Sequence, residues 1–136
     1  MRTIHYSKLP ARAWQRRKGY KYQLTKRHVA AVNIVPPNGA AVVDGYVILT
    51  GSGMLAITEG YCWDGPSGPT FDTRNFMRGS LYHDALYQLI RDGHLPKSAR
   101  READLELMRV CREDGMSWLR SRWVYLGVRA GGWAVV

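Results

Sequence analysis

His83 and Asp84 stand side by side in the run Tyr82-His83-Asp84-Ala85-Leu86-Tyr87. Histidine titrates near neutral pH, so it can take a proton from water and hand it back. A carboxylate beside it can hold a cation next to the same water. If the run is helical, His83 and Tyr87 share a face, and Asp84 lies about 100° round from His83. Asp104 is the next candidate, because a carboxylate that reaches the imidazole can orient it. Asp64 is the last. It sits in Gly60-Tyr61-Cys62-Trp63-Asp64-Gly65-Pro66-Ser67-Gly68-Pro69, where glycines let carbonyl oxygens turn inward. Asp64, Asp84 and such carbonyls make an all-oxygen set suited to calcium. The chemistry implied is hydrolysis, with His83 removing a proton from water while a cation stabilises the oxyanion.

Three helices must position these groups. The first is expected from about Asn75 to Asp92, stopped at Gly93. The second is expected from about Lys97 to Asp114, stopped at Gly115. The third is expected from Ser117, an N-cap residue, to Arg129, stopped at Gly131-Gly132. The short Gly93–Pro96 turn favours an antiparallel first pair, which sets Asp104 opposite His83, with Met108 and Cys111 below it. Ahead of the helices the chain reads as short strands. Tyr22 and Leu24 alternate with polar residues, and Val29–Val35 is a second apolar run. Tyr46–Thr50 and Met54–Thr58 flank a Gly51-Ser52-Gly53 hairpin turn. Gly60 to Pro69 reads as a loop without regular structure. Strands first and helices second predict an α+β fold: a short antiparallel β-sheet followed by a three-helix unit.

Each of these residues also has a plain structural use. A mid-helix histidine is often a satisfied core residue, and an aspartate in a Gly/Pro loop is often a turn former. Asp104 can pair with Arg100 or Arg101 or face water, and Tyr87, Leu86 and Leu107 suit a core. The combination of loop, HDxxY and a second helix bearing an aspartate is what points to a site.

Two resemblances meet on these residues. Gly60-Tyr61-Cys62-Trp63-Asp64-Gly65-Pro66-Ser67-Gly68-Pro69, His83-Asp84-Ala85-Leu86-Tyr87 and Arg100-Arg101-Glu102-Ala103-Asp104 resemble the GFxxDxxSxP, HDxLY and RxxAD pattern of a family of phage and prophage proteins of unknown function. Only Tyr61 departs from it, standing where the pattern has Phe, and the likeness runs from about Met54 to Gly131. It implies a phage or prophage origin and, with it, other phage or virion proteins as partners. The helix pair also looks like that of small bacterial and fungal phospholipases A2, and the interval from His83 to Asp104 resembles the bacterial type. That likeness implies His83 as general base, Asp104 orienting it, Tyr87 supporting Asp104, and Asp84 and Asp64 as calcium ligands. The chain departs from those secreted enzymes at Gly79-Ser80-Leu81-Tyr82, where they carry a disulfide cysteine, and in its Gly/Pro loop.

Composition bounds the rest. The chain has 136 residues, 46% of them hydrophobic, and a formal charge of +9. One domain large enough to fold without disulfides is expected, and disorder is excluded. Two cysteines, Cys62 and Cys111, make no disulfide framework, and no signal-peptide pattern or apolar run of about 18 residues is visible. Host cytoplasm or virion is the expected location. The charge is lopsided. Residues 1–43 hold nine Lys and Arg and no acid, while the remainder is balanced. Residues 1–19 read as a basic arm ahead of a domain over 20–136. Arg16-Arg17-Lys18-Gly19-Tyr20-Lys21-Tyr22 can contact nucleic-acid phosphates and bases, or an anionic membrane surface. Docking on an acidic neighbour, or plain solvation, is the commoner use of such a segment. In the third helix Trp118, Leu119, Trp123, Val124 and Leu126 suggest a core-facing stripe, although a helix lying on a membrane surface is also possible. Two functions follow. One is a calcium-dependent lipid or ester hydrolase, and the other is a non-enzymatic virion or tail component in which the HD cluster is structural.

Overall fold

The structure, a computed structural model, describes residues 3–10, 20–65 and 73–131. Among the described residues seven short strands precede three helices, an α+β arrangement. The strands are β1 (Tyr6–Lys8), β2 (Tyr22–Leu24), β3 (His28–Ala31), β4 (Val42–Asp44), β5 (Val47–Leu49), β6 (Met54–Ile57) and β7 (Cys62–Trp63). The helices are α1 (Arg74–Arg91), α2 (Ala99–Glu113) and α3 (Trp118–Gly131). The strands form two antiparallel sheets, in the orders β1-β2-β7 and β3-β6-β5-β4.

The expected hairpin is present. Leu49 pairs with Leu55 across the turn, and Met54 N donates to Thr50 Oγ1 at 3.0 Å. Two readings of the first half are corrected. Cys62–Trp63, within the supposed structureless loop, pairs with β2, because Gln23 and Tyr22 present ladder partners that sequence spacing does not reveal. Tyr6–Lys8 of the expected arm adds to the other edge of β2. Leu9 is buried and Ile4 packs on the core, so removing residues 1–19 removes part of the sheet. Arg12, Arg16, Arg17 and Lys18, the main cations of the arm, lie outside the described residues, as do Pro66, Ser67, Gly68 and Pro69.

The helices run as expected. α1 ends where Gly93 adopts φ +84°, and His94 N donates back to Leu89 O at 2.8 Å. α2 ends in the same way at Gly115, φ +97°, with Met116 N bonded to Cys111 O. A left-handed residue closes such helix ends, and glycine adopts it without a Cβ clash. α1 and α2 are antiparallel: Arg78 meets Asp114, and five residues later His83 meets Asp104. They cross closely at Gly79, where a Cβ would lie 2.8 Å from Cys111 Sγ and 3.2 Å from Leu107 O.

α1 is the central element, buried along most of its length. Leu81, Ala85, Leu86 and Leu89 share one core with Leu24, Leu49, Leu55, Ile57 and Trp63 of the sheets. Side-chain bonds lock the layers together. Trp63 Nε1 donates to Ser80 Oγ at 3.1 Å, Gln88 Nε2 to Asp44 O at 3.1 Å, and Asn33 N to Glu106 Oε1 at 2.8 Å. The core-facing stripe expected for the third helix is not what folds. Only Ser121 and Val124 of α3 are buried, while Trp118, Leu119, Trp123 and Leu126 face outward. Apolar residues occur on both sides of this helix, so periodicity alone cannot say which side the core takes. Among the described residues no helix is long and apolar enough to cross a membrane.

Candidate functional site

The antiparallel crossing of α1 and α2 brings His83, Tyr87 and Asp104 together. His83 Nε2 lies 2.7 Å from Asp104 Oδ1. Tyr87, one turn further along α1, donates its hydroxyl to the same oxygen at 2.6 Å. The two rings pack with centroids 4.0 Å apart. Arg129 of α3 donates to Asp104 Oδ2 at 3.0 Å, and the Arg100 guanidinium lies 3.8 Å from that oxygen. Asp104 has no exposed surface. Burial alone pushes its carboxyl up, but hydrogen bonds from His83, Tyr87 and Arg129 outweigh it and hold Asp104 below the ordinary carboxylate range. An ionised carboxylate only accepts, so in the neutral ring the proton sits on Nε2 and the lone pair on Nδ1.

His83 Nδ1 points the other way, 4.0 Å from Asp84 Oδ1. That is beyond a direct hydrogen bond and leaves room for a bridging water. Asp84 is half-buried, and the exposed Asp64 reaches its carboxyl. Desolvation, then the charge of Asp64 and their mutual hydrogen bond, push Asp84 well above its ordinary range, with Arg91 opposing. Two carboxylates in one space share a proton or a cation, because two unshielded negative charges repel. The sequence explains how Asp64 gets there. Trp63 is anchored on Ser80, one helical turn before Asp84, and Asp64 is the next residue. Gly65, the last described residue before position 73, adopts φ +72°.

All five residues singled out from sequence therefore fall in two touching groups: His83, Tyr87 and Asp104 on one side, Asp84 and Asp64 on the other. Of the Gly60–Pro69 loop expected to lend carbonyls to the carboxylates, Gly60 O, Tyr61 O and Trp63 O instead accept bonds from Gln23 Nε2, Leu24 N and Lys21 N, and residues 66–69 lie outside the described residues. Among the described residues no group of three or more His, Cys, Asp or Glu is arranged to hold a metal ion. Cys62 and Cys111 form no disulfide with each other. Cys111 is buried against Gly79, and burial pushes its thiol up to about 12.

Compared with protein-family models, curated proteins and solved structures, the chain matches none.

Arg129 and Ser80 support the site without standing out in the sequence. Arg129 reaches Asp104 across 25 positions, and the separation carries no signal, since only the fold of α3 against α2 joins them. Ser80 has a weak local signal, because a polar residue on the buried face of an apolar helix needs a partner. It donates to Met77 O at 2.8 Å and accepts from Trp63.

Proposed function

We propose that this chain is a phage- or prophage-encoded hydrolase of the phospholipase A2 kind, acting on a lipid or similar ester with water as nucleophile. The observation that carries this reading is the bipolar environment of His83. Its Nε2 is fixed on an ionised, buried carboxylate, and its Nδ1 faces a carboxylate pair next to solvent. A water held between Nδ1 and Asp84 gives its proton to Nδ1 as its oxygen bonds to the ester carbonyl carbon. Asp104 stabilises the imidazolium that results, and Tyr87 and Arg129 keep Asp104 charged and in place. When the tetrahedral adduct collapses, the bond to the alcohol oxygen breaks and His83 returns the proton to that oxygen. The products are a carboxylic acid and an alcohol.

Asp84 and Asp64 fit a hard cation as the start of an all-oxygen shell, because their shared space penalises two bare negative charges. Calcium held there would stabilise the oxyanion of the adduct. The pair needs further oxygen ligands to complete a calcium shell.

A second reading has its own observation. Asp104 accepts bonds from α1 and α3 while wholly buried in α2, which is what a polar knot between three helices requires. On that reading the chain is a non-enzymatic virion or tail component. Turnover of a mixed-chain phospholipid separates the two, measured during calcium titration of wild type, His83→Gln and Asp84→Asn. The hydrolase reading expects calcium-dependent turnover that falls by about 10²–10⁴ in His83→Gln. A well-folded wild type with no turnover at saturating calcium leaves the structural role alone.

A further inference from the structure

The outward side of α3 is apolar, bordered by arginine and exposed. Trp118, Leu119, Trp123 and Leu126 are 61%, 74%, 70% and 61% exposed. At about 100° per residue, Leu119, Trp123 and Leu126 form one stripe, with Arg122 on one flank and Arg120 on the other. An open hollow of about 450 Å³ runs along them, lined also by Ser117. The Arg122 guanidinium sits over the Trp118 ring, 5.5 Å from its centroid. Of the three arginines between Trp118 and Gly131, Arg129 bonds Asp104 and Arg120 bonds Thr73 and Asn75, and the helix itself carries no acid. Leu119, Trp123 and Leu126, with Trp118 beyond Arg122, put four large apolar side chains on the exposed side of one helix, the kind of patch that marks an interaction site.

We propose that this face docks on an anionic phospholipid surface. Trp118 and Trp123 take the headgroup level that indoles favour, Leu119 and Leu126 enter the acyl boundary, and Arg122 meets lipid phosphates. Charge selects this occupant. A second copy docking through the same face would set Arg122 against an equally cationic helix that carries no carboxylate. The helix carries the two features of an interfacial anchor, Trp and Leu on one arc and Arg on its borders. This inference rests on the residues of α3 alone and stands whether or not His83 is a base. Because Arg129 ties the same helix to Asp104, docking would also bring the His83 cluster to the lipid surface on a fixed element.

The test uses the full chain with vesicles of phosphatidylcholine alone or mixed with phosphatidylglycerol, read by co-sedimentation and tryptophan emission. Partition onto the mixed vesicles with a blue shift is expected, and it should weaken in high salt. A Trp123→Ser, Leu126→Ser double substitution should cut partition at least about tenfold. Arg122→Gln should cut it about fivefold. His83→Gln should leave it unchanged. Since the substituted residues are exposed, circular dichroism should match wild type. The proposal is overturned by a wild type that binds neither vesicle, or by binding that survives the double substitution, which would belong to the basic N-terminal segment. Equal binding to polyglutamate would assign the face to an acidic protein. A concentration-dependent dimer lost in the double variant would assign it to a second copy.

Discussion

Replacing Asp104 by asparagine keeps the shape of the side chain and removes its charge, and the surrounding bonds determine what that costs. Oδ1 accepts from His83 at 2.7 Å and Tyr87 at 2.6 Å, and Oδ2 accepts from Arg129 at 3.0 Å. An amide can serve only one of these edges. With its NH2 toward α3, it sets donor against donor and leaves Arg129 without an acceptor. With its NH2 toward α1, Tyr87 loses its acceptor and His83 must accept at Nε2, so its proton moves to Nδ1. Losing one charge-assisted bond, or stranding one buried hydroxyl, costs about 1–3 kcal/mol. Both orientations also lose the charge, so a deficit of about 2–3 kcal/mol is expected at pH 7. Arg129 is partly exposed and can turn to water, which argues against a larger value. Urea unfolding of wild type and Asp104→Asn measures it. The pH dependence gives an independent check. Hydrogen bonds hold the folded carboxyl below its ordinary 3.8, so its stabilisation is present above that pH and is lost as the pH falls through the folded value. The gap between the two proteins should therefore narrow only below pH 3.8. A variant as stable as wild type at pH 7, or a gap that does not change down to pH 3, would refute an ionised Asp104 at the centre of the knot.

Three further outcomes follow from the packing. Gly79→Ala puts a methyl 2.8 Å from Cys111 Sγ and 3.2 Å from Leu107 O, so the α1–α2 crossing must open. A loss of about 1–3 kcal/mol is expected in urea unfolding, and no loss would mean that the crossing is looser than its geometry. His28, bonded to Tyr82 and buried near Arg78, is lowered from 6.5 to about 4 by desolvation first and then by that charge. The unfolded chain takes the proton first, so stability should fall by about 3 kcal/mol as pH drops from 6.5 to 4, and His28→Phe should flatten that stretch of the pH profile. Asp84, raised by burial and Asp64, loses stability as pH rises above its unfolded value of 3.8. Asp84→Asn should accordingly raise the melting temperature at pH 7 in chelator, and calcium should raise that of wild type alone; a lower melting temperature for the variant in chelator would contradict the carboxylate repulsion.

The helices were legible because their signals are local. Gly93 and Gly115 adopt the positive φ that ends a helix, and the spacing of His83 and Tyr87 sets them on one face wherever that helix goes. Charge distribution and the strands-then-helices order are likewise properties of the chain read in line. β1, β4 and β7 were not legible, since they lack the alternation or apolar run that marked β2 and β5 and are defined only by their ladder partners. The meeting of His83 with Asp104 was inferred from a turn length, but its 2.7 Å depends on Gly79 letting two backbones approach. Arg129 joined Asp104, and Asp64 joined Asp84 through Trp63 and Ser80, by contacts between distant segments that no spacing encodes. The orientation of α3 shows the same limit in its plainest form. Periodicity reports that Leu119, Trp123 and Leu126 share a face, while packing chose Ser121 and Val124 to meet the protein and left that face to the outside.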